Sequence, residues 1–181
     1  MSFTITTEGA IPYSITTLRS HTRIKSNDFD SELRRSWFAA IADIEKRTGL
    51  LLRPCTIRGT ILGSPDGWVF PTGPVDVSTV TITNTEDSSV LTQGRTGDYL
   101  VDDDLVNPRI CVVDESSFTN RVKYQIDFNA GFASIPDDIE IAALELAAHH
   151  FENREMASPF PTYQVPSSVW SILANYGTAK I

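Results

Sequence analysis

Asp28-Phe29-Asp30-Ser31-Glu32-Leu33-Arg34-Arg35-Ser36-Trp37-Phe38-Ala39-Ala40-Ile41-Ala42-Asp43-Ile44-Glu45-Lys46-Arg47-Thr48 sets Phe29, Leu33, Trp37, Ile41 and Ile44 at steps of four, four, four and three residues. That spacing draws one apolar stripe along an α-helix. Asn27 or Asp28 is placed to cap its start, and Asp30 and Glu32 suit its positive end. Lys46 and Arg47 suit the negative end, and Gly49 is placed to stop it. A striped helix must bury its stripe, and residues 135–156 supply a partner. There Ser134 can cap, Pro136 sits in the first turn, and Asp137, Asp138 and Glu140 favour the helix dipole. Ile139, Ala142, Ala143 and Leu146 occupy one face of this second helix, while Ile141, Leu144, Ala148 and Phe151 occupy another. Apolar on two faces, it is predicted to lie at the centre of a bundle whose core is Phe29, Leu33, Trp37, Ile41, Ile44, Ile139, Leu146 and Phe151.

Between the two helices the texture changes to short β-branched runs broken by turn residues. Thr56–Leu62, Trp68–Phe70, Val75–Thr83, Tyr99–Val101, Arg109–Val113 and Val122–Phe128 read as six short strands. Pro65-Asp66-Gly67 makes a turn between two of them, proline setting φ and glycine supplying a positive one. In Val75–Thr83, Val75, Val77, Thr79, Thr81 and Thr83 alternate with Asp76, Ser78, Val80 and Ile82, as in a half-buried strand. Upstream of the first long helix, Leu18–Ile24 reads as a short helical turn. Downstream of the second, Ser158-Pro159-Phe160-Pro161 reads as an extended linker, and Pro166-Ser167-Ser168 opens a last short helix that Gly177 ends. The predicted fold is α+β: residues 1–58 form the N-terminal helical part of a small bundle, and 59–132 an inserted antiparallel β module. Residues 133–181 supply the central helix, the Pro-rich linker and a C-terminal docking helix.

With 181 residues, 41% hydrophobic and 21% charged, the chain has the composition of one folded domain with an insertion. Its most apolar stretch, Ile141–Ala148, is broken by Glu145 and is far short of the roughly 20 residues that cross a bilayer. The N-terminus carries no basic region followed by an apolar run, so the chain is expected to stay where it is made. Cys55 and Cys111 lack metal spacing and are expected to be reduced thiols. Charge is distributed unevenly: residues 1–58 are net +3, residues 59–132 net −7 and residues 133–181 net −4. A tight, sequence-independent DNA binder needs a basic footprint, and the middle segment is the reverse of one.

Catalytic chemistry has little to build on. Glu145, His149 and Glu152 have helical spacing that suits a metal, but the His-Glu-x-x-His order is missing, and the adjacent His149 and His150 diverge by about 100° around a helix. Packing and hydrogen bonding for one histidine and solvent for the other is the simpler expectation. Asp102-Asp103-Asp104 lacks the glycine and closing glutamate of a calcium loop, and Gly94-Arg95-Thr96-Gly97 lacks the Lys-Ser/Thr of a phosphate loop. Three histidines and no Gly-x-Ser-x-Gly elbow leave no nucleophilic centre. No cofactor and no catalytic residue is therefore expected.

Read in order, several segments carry a resemblance: Thr16–Ile24, Ile44-Glu45-Lys46-Arg47-Thr48-Gly49, Pro74–Ile82, Gly97-Asp98-Tyr99-Leu100-Val101-Asp102 and Ile126–Phe132. Ile135–Ile139, Ala147-Ala148-His149-His150-Phe151-Glu152-Asn153-Arg154-Glu155 and Val165–Leu173 complete the series. The chain resembles the head-tail connector (adaptor) proteins of long-tailed phages and phage-derived particles, in the subgroup that carries a β insertion. That resemblance implies a structural protein of the virion at the head-tail interface, made and assembled in the host cytoplasm. It implies a homo-oligomeric ring of about twelve subunits beneath the portal, extending the DNA channel toward the tail and meeting a head-closure or tail-completion protein. DNA would pass without tight binding, and no membrane would be involved. A C-terminal segment that docks on the portal is implied, and here Pro166, Val169, Trp170, Ile172, Leu173 and Tyr176 carry its apolar surface. The alternative is a β-sheet binding module recognising sugar or protein, for which Trp68, Tyr99 and Tyr124 would have to be exposed.

Overall fold

The computed structural model describes residues 2–11, 14–105, 107–119, 121–153 and 167–176. These form two compact units, one of residues 2–10 and 53–133, the other of residues 11–52 and 134–176. Among the described residues no helix is long and apolar enough to cross a membrane.

The first unit is all β apart from one short 3₁₀ turn at Glu115–Ser117. Its strands are β1 (Ser2–Glu8), β2 (Cys55–Leu62), β3 (Trp68–Val69), β4 (Val75–Asn84), β5 (Tyr99–Asp102), β6 (Arg109–Val112) and β7 (Lys123–Ala130). They form a four-stranded sheet in the order β1-β2-β7-β4 and a three-stranded sheet in the order β3-β6-β5. Each neighbouring pair is antiparallel. β2 is the clearest alternator, with Cys55, Ile57, Gly59 and Ile61 buried and Arg58, Thr60 and Leu62 exposed, as a sheet with one covered face requires. Aromatic rings fill the interior. Phe128 lies 4.8 Å from Phe70 and 6.2 Å from Phe3, and Phe118 lies 5.0 Å from Trp68 and 5.2 Å from Tyr124. Their polar tips are satisfied: Trp68 Nε1 donates to the Leu62 carbonyl at 3.0 Å, and Tyr99 Oη donates to the Val80 carbonyl at 3.0 Å. Tyr124 Oη donates to the Ser117 carbonyl at 3.0 Å and accepts from the Thr119 N–H at 2.9 Å.

β1 corrects the reading of residues 1–58 as helical. It pairs with β2 from Ser2↔Thr60 to Glu8↔Cys55, and Arg53 holds Glu8 at 2.9 Å. The boundary drawn at residue 58 consequently falls inside β2. Ser2-Phe-Thr-Ile-Thr alternates apolar and hydroxyl residues, which is a strand signal in its own right. Gly59 makes room for this strand: a Cβ there would lie 2.2 Å from the Phe3 ring, so only a bare backbone lets Phe3 lie flat on β2.

β4 is not the uniform alternator its sequence suggests. Asp76 faces Asn129 and Thr81 faces Asp127, so four residues of β4 stand opposite Phe128 alone. The excess changes the phase of the strand, which buries Val75 before the bulge and Val80 and Ile82 after it. Local bonds hold the bulge: Ser78 N and Oγ donate to Asp76 Oδ1 at 3.1 and 2.6 Å, and Thr79 Oγ1 accepts from the Asn129 N–H at 2.9 Å.

The second unit is helical, with α1 (Ile15–Thr22), α2 (Asp30–Thr48), α3 (Asp137–Glu152) and α4 (Ser167–Ala174). α2 packs along α3, α1 against both, and α4 against α3 and α2. α1 starts earlier than expected because Ser14 caps it, accepting from the Thr17 N–H at 3.3 Å, and it stops at Arg23, whose φ is 58°. α2 ends at Gly49, whose φ of 76° suits a residue without Cβ and lets its N–H reach the Glu45 carbonyl at 2.9 Å. Its start differs from expectation, since Phe29 rather than Asn27 or Asp28 stands at the cap and no side chain bonds there. Likewise Pro136, not Ser134, stands at the cap of α3. α3 stops at Glu152, with Asn153 as its C-cap, earlier than the expected end near Met156; residues 154–156 lie outside the described residues.

Leu33, Trp37, Ile41, Ile44, Ile139, Leu146 and Phe151 are buried. Phe29 departs from the expected core. It is 42% exposed because it begins the helix rather than lying within it, and it meets Phe151 edge-on at 6.1 Å. Ile141 also departs: α3 buries one face only, through Ile139, Ala142, Ala143, Leu146 and Ala147, and leaves Ile141 50% exposed.

Candidate functional site

Of the residues expected to dock a partner, Val169, Trp170, Ile172 and Leu173 lie on α4 and Tyr176 in the turn after it, while Pro166, the 158–161 linker and Gly177 fall outside the described residues. Instead of standing free, α4 packs on its own bundle. Val169 is fully buried and Leu173 nearly so, as a helix of eight residues requires, since it cannot hold its backbone bonds without tertiary support. Polar contacts surround this apolar seam. Ser168 Oγ donates to Glu145 of α3 at 3.0 Å, and Tyr176 Oη donates to both Asp138 carboxylate oxygens at 2.8 and 2.9 Å. Partial burial, and then the Asp138 carboxylate, push the Tyr176 hydroxyl above its ordinary pKa. The Arg47 guanidinium of α2 sits 3.9 Å from the centroid of the Trp170 ring, within cation–π range. Trp170 and Ile172 remain half-exposed on the two flanks of this buried seam, Tyr176 is half-exposed in the turn after α4, and the outward side of the helix carries Ser167, Ser168, Ser171 and Ala174.

The metal candidates on α3 have other partners. Glu145 receives Ser168, His149 Nδ1 lies 3.2 Å from Asn153 Nδ2, and His150 Nε2 lies 3.1 Å from Asp43 of α2. Both histidines are therefore half-buried structural groups, where one had been expected in solvent. Among the described residues no three acidic, histidine or cysteine side chains converge as a metal set would. Gly94–Gly97 is a turn closed by the Gly97 N–H on the Gly94 carbonyl at 3.0 Å. Asp102 pairs with Arg109 at 3.0 Å across the β5–β6 hairpin. Cys55 is buried in β2, Cys111 is half-buried in β6, and both are free thiols. The aromatics that a sugar platform would need are interior: Trp68, Tyr99 and Tyr124 are all buried.

A second concave feature lies on the outer side of α1 and α2. Ile15, Asp30, Ser31, Arg34, Arg35 and Phe38 line an open groove of about 530 Å³. Arg34 stacks over the Phe38 ring at 5.4 Å, and Asp30 is clamped by two nitrogens of Arg19, the Nε–Oδ1 bond being 2.7 Å. Motif reading did not single this groove out, although Arg34-Arg35 opposite the buried stripe was a visible signal.

No protein-family model matches the chain, and no functionally described protein matches it in sequence. Solved structures do. A chain in the virion of a native gene transfer agent (GTA) particle superposes with a TM-score of 0.74 at 23% identity, covering 100% of this chain and 97% of that one. A chain in the neck of an empty GTA particle, computed with C6 symmetry, gives 0.73 at 23% identity with the same coverage. A chain in the neck of a native GTA particle, computed with C12 symmetry, gives 0.67 at 25% identity, again over 100% and 97%. Over its whole length, then, this chain has the fold of chains found in the necks of phage-like particles.

Proposed function

We propose that the chain is a structural head-tail connector of the adaptor type, one of about twelve subunits in a ring beneath the portal of a phage-like particle, extending the DNA channel toward the tail. The observation that carries this is the full-length likeness to chains of a neck solved with C6 and C12 symmetry. The net charge of −8, with the β segment at −7, suits a subunit that lets DNA pass without gripping its phosphates. The half-exposed Trp170 and Ile172, on either flank of the α4 seam, and Tyr176 just after the helix are the side chains proposed to meet the portal, while Val169 and Leu173 hold the helix in place. Aromatic residues of this kind anchor interfaces.

The test is to delete the gene and image the particles. Filled heads without tails, restored by the wild-type gene but not by a folded Trp170→Ala/Ile172→Ala variant, are expected. Tailed particles that lack the chain would overturn the assignment.

A further inference from the structure

We infer that the groove on α1 and α2 receives the Asp103-Asp104-Leu105 loop of a second copy of the chain, a contact that rests on the ring reading and specifies it. A ring with cyclic symmetry is built from one heterologous contact repeated, so each subunit must carry two different, mutually complementary surfaces. The groove and the loop have that relation in chemistry. The groove has an apolar floor in Ile15 and Phe38 and a cationic wall in Arg34 and Arg35, both exposed and in no ion pair among the described residues. Asp30 adds no free negative charge there, because Arg19 neutralises it. Arg34 lies over the Phe38 ring at 5.4 Å, a contact that leaves its guanidinium N–H groups able to meet a carboxylate, whose geometry matches the guanidinium fork.

The loop between β5 and β6 supplies the complement: an exposed Asp103 with no partner among the described residues, Asp104, whose Oδ1 accepts the Asn107 N–H at 3.1 Å, and Leu105 exposed at 37%. The other acidic loops are less suited. Asp87 spends its carboxylate on the Ser89 N–H and hydroxyl at 2.9 and 2.7 Å, and Asp114 does the same with Ser116 at 2.9 and 2.7 Å. Two free guanidinium groups on a chain of net charge −8 are too few for a DNA footprint, whereas they match one acidic loop.

The purified full chain is followed by sedimentation equilibrium from micromolar to millimolar concentration at low and high salt. Salt-sensitive self-association is expected, weakened about tenfold or more in Arg34→Glu/Arg35→Glu and in Asp103→Lys/Asp104→Lys. An equimolar mixture of the two variants should recover association, because each reversed surface then meets its reversed complement. Circular dichroism checks that both variants fold. A wild-type chain that stays monomeric throughout overturns the inference, as does a mixture no stronger than either variant, or Arg34→Glu/Arg35→Glu losing only DNA binding. Particles are scored separately. Wild-type incorporation of Arg34→Glu/Arg35→Glu into necks overturns this contact and leaves the neck reading standing, whereas absence of the wild-type chain from necks overturns that reading alone.

Discussion

The β unit and the helical unit solve the same problem, burying apolar surface, in different ways. The β unit does so with large rings, Phe70, Phe118, Tyr124 and Phe128 all being buried, and it pairs the hydroxyl of each buried tyrosine. The helical unit relies mainly on small and aliphatic side chains, Ala40, Ala142, Ala143, Ala147, Leu33 and Leu146, packed around Trp37 and Phe151. Both units leave apolar side chains in water, Leu62, Val69 and Val90 in the β unit and Phe29 and Ile141 in the helical one, so what separates them is how the interior is filled, by ring on ring in the first and mainly by aliphatic packing in the second.

Substitutions can break that contrast. Phe128→Ala in the centre of β7 should cost about 3–5 kcal/mol in urea unfolding, because Phe3 and Phe70 would face a cavity. A loss below 1 kcal/mol would mean that the aromatic cluster is not what holds the β unit. Leu173→Ala should cost about 2–4 kcal/mol, and because the seam beneath α4 is narrow, the loss should appear first as reduced helix signal with the Trp68 environment of the β unit unchanged. Gly59→Ala pushes a methyl into the Phe3 ring and should cost about 1–3 kcal/mol, read as faster hydrogen exchange in β1 than in β7. Equal exchange rates would show that β1 is as firmly held as the middle of the sheet.

How far the sequence foretold this division depends on how local the signal was. Leu33, Trp37, Ile41 and Ile44 lie on one continuous helix, so their spacing alone reports burial. Phe29 shares that spacing yet sits at the first boundary of α2, where periodicity carries no information about what covers it. β1 was missed because its partner β2 lies some fifty residues away, and its Thr-rich alternation is half as apolar as a buried strand. The bulge in β4 was invisible because a uniform V-x-V-x-T-x-T pattern cannot show that Asp76–Thr81 faces too few residues on β7. The fold-back of α4 depended on Arg47, Asp138 and Glu145, each distant in sequence from the helix they hold.

The smaller effects sharpen the contrast. Arg47→Ala removes the cation above Trp170 and should loosen α4 by about 0.5–1 kcal/mol, seen as a red shift of tryptophan emission; an unchanged spectrum would detach Arg47 from the seam. The mildest test is acid. Asp87 and Asp114 have pKa values lowered from 3.8, first by the Ser89 and Ser116 hydroxyls and then by their backbone N–H groups. A depressed carboxylate adds stability that is complete above the unfolded value of 3.8 and is lost as pH falls through the lower folded value. Asp87→Asn and Asp114→Asn should therefore lower the neutral plateau of the β unit's stability curve slightly and change its acid end little, so that the acid limb is flatter. An acid limb identical to wild type would place the acid sensitivity elsewhere.

The bulge between Asp76 and Thr81 has a counterpart on the opposite side of the same sheet, where β1 slips by one residue between Ile5 and Thr7 and Thr6 Oγ1 donates to the Thr56 carbonyl at 3.0 Å. Beyond the bulge, β4 is covered on its outer side by the Leu91 N–H on the Ile82 carbonyl and the Asn84 N–H on the Ser89 carbonyl. Neither margin of the four-stranded sheet thus offers a foreign strand an uninterrupted ladder. Wherever copies of a sheet protein are held close together, flat uninterrupted margins zip into fibres. A subunit with both margins interrupted can be packed that densely and still join its neighbours only through side chains, and so remain a countable assembly instead of an endless one.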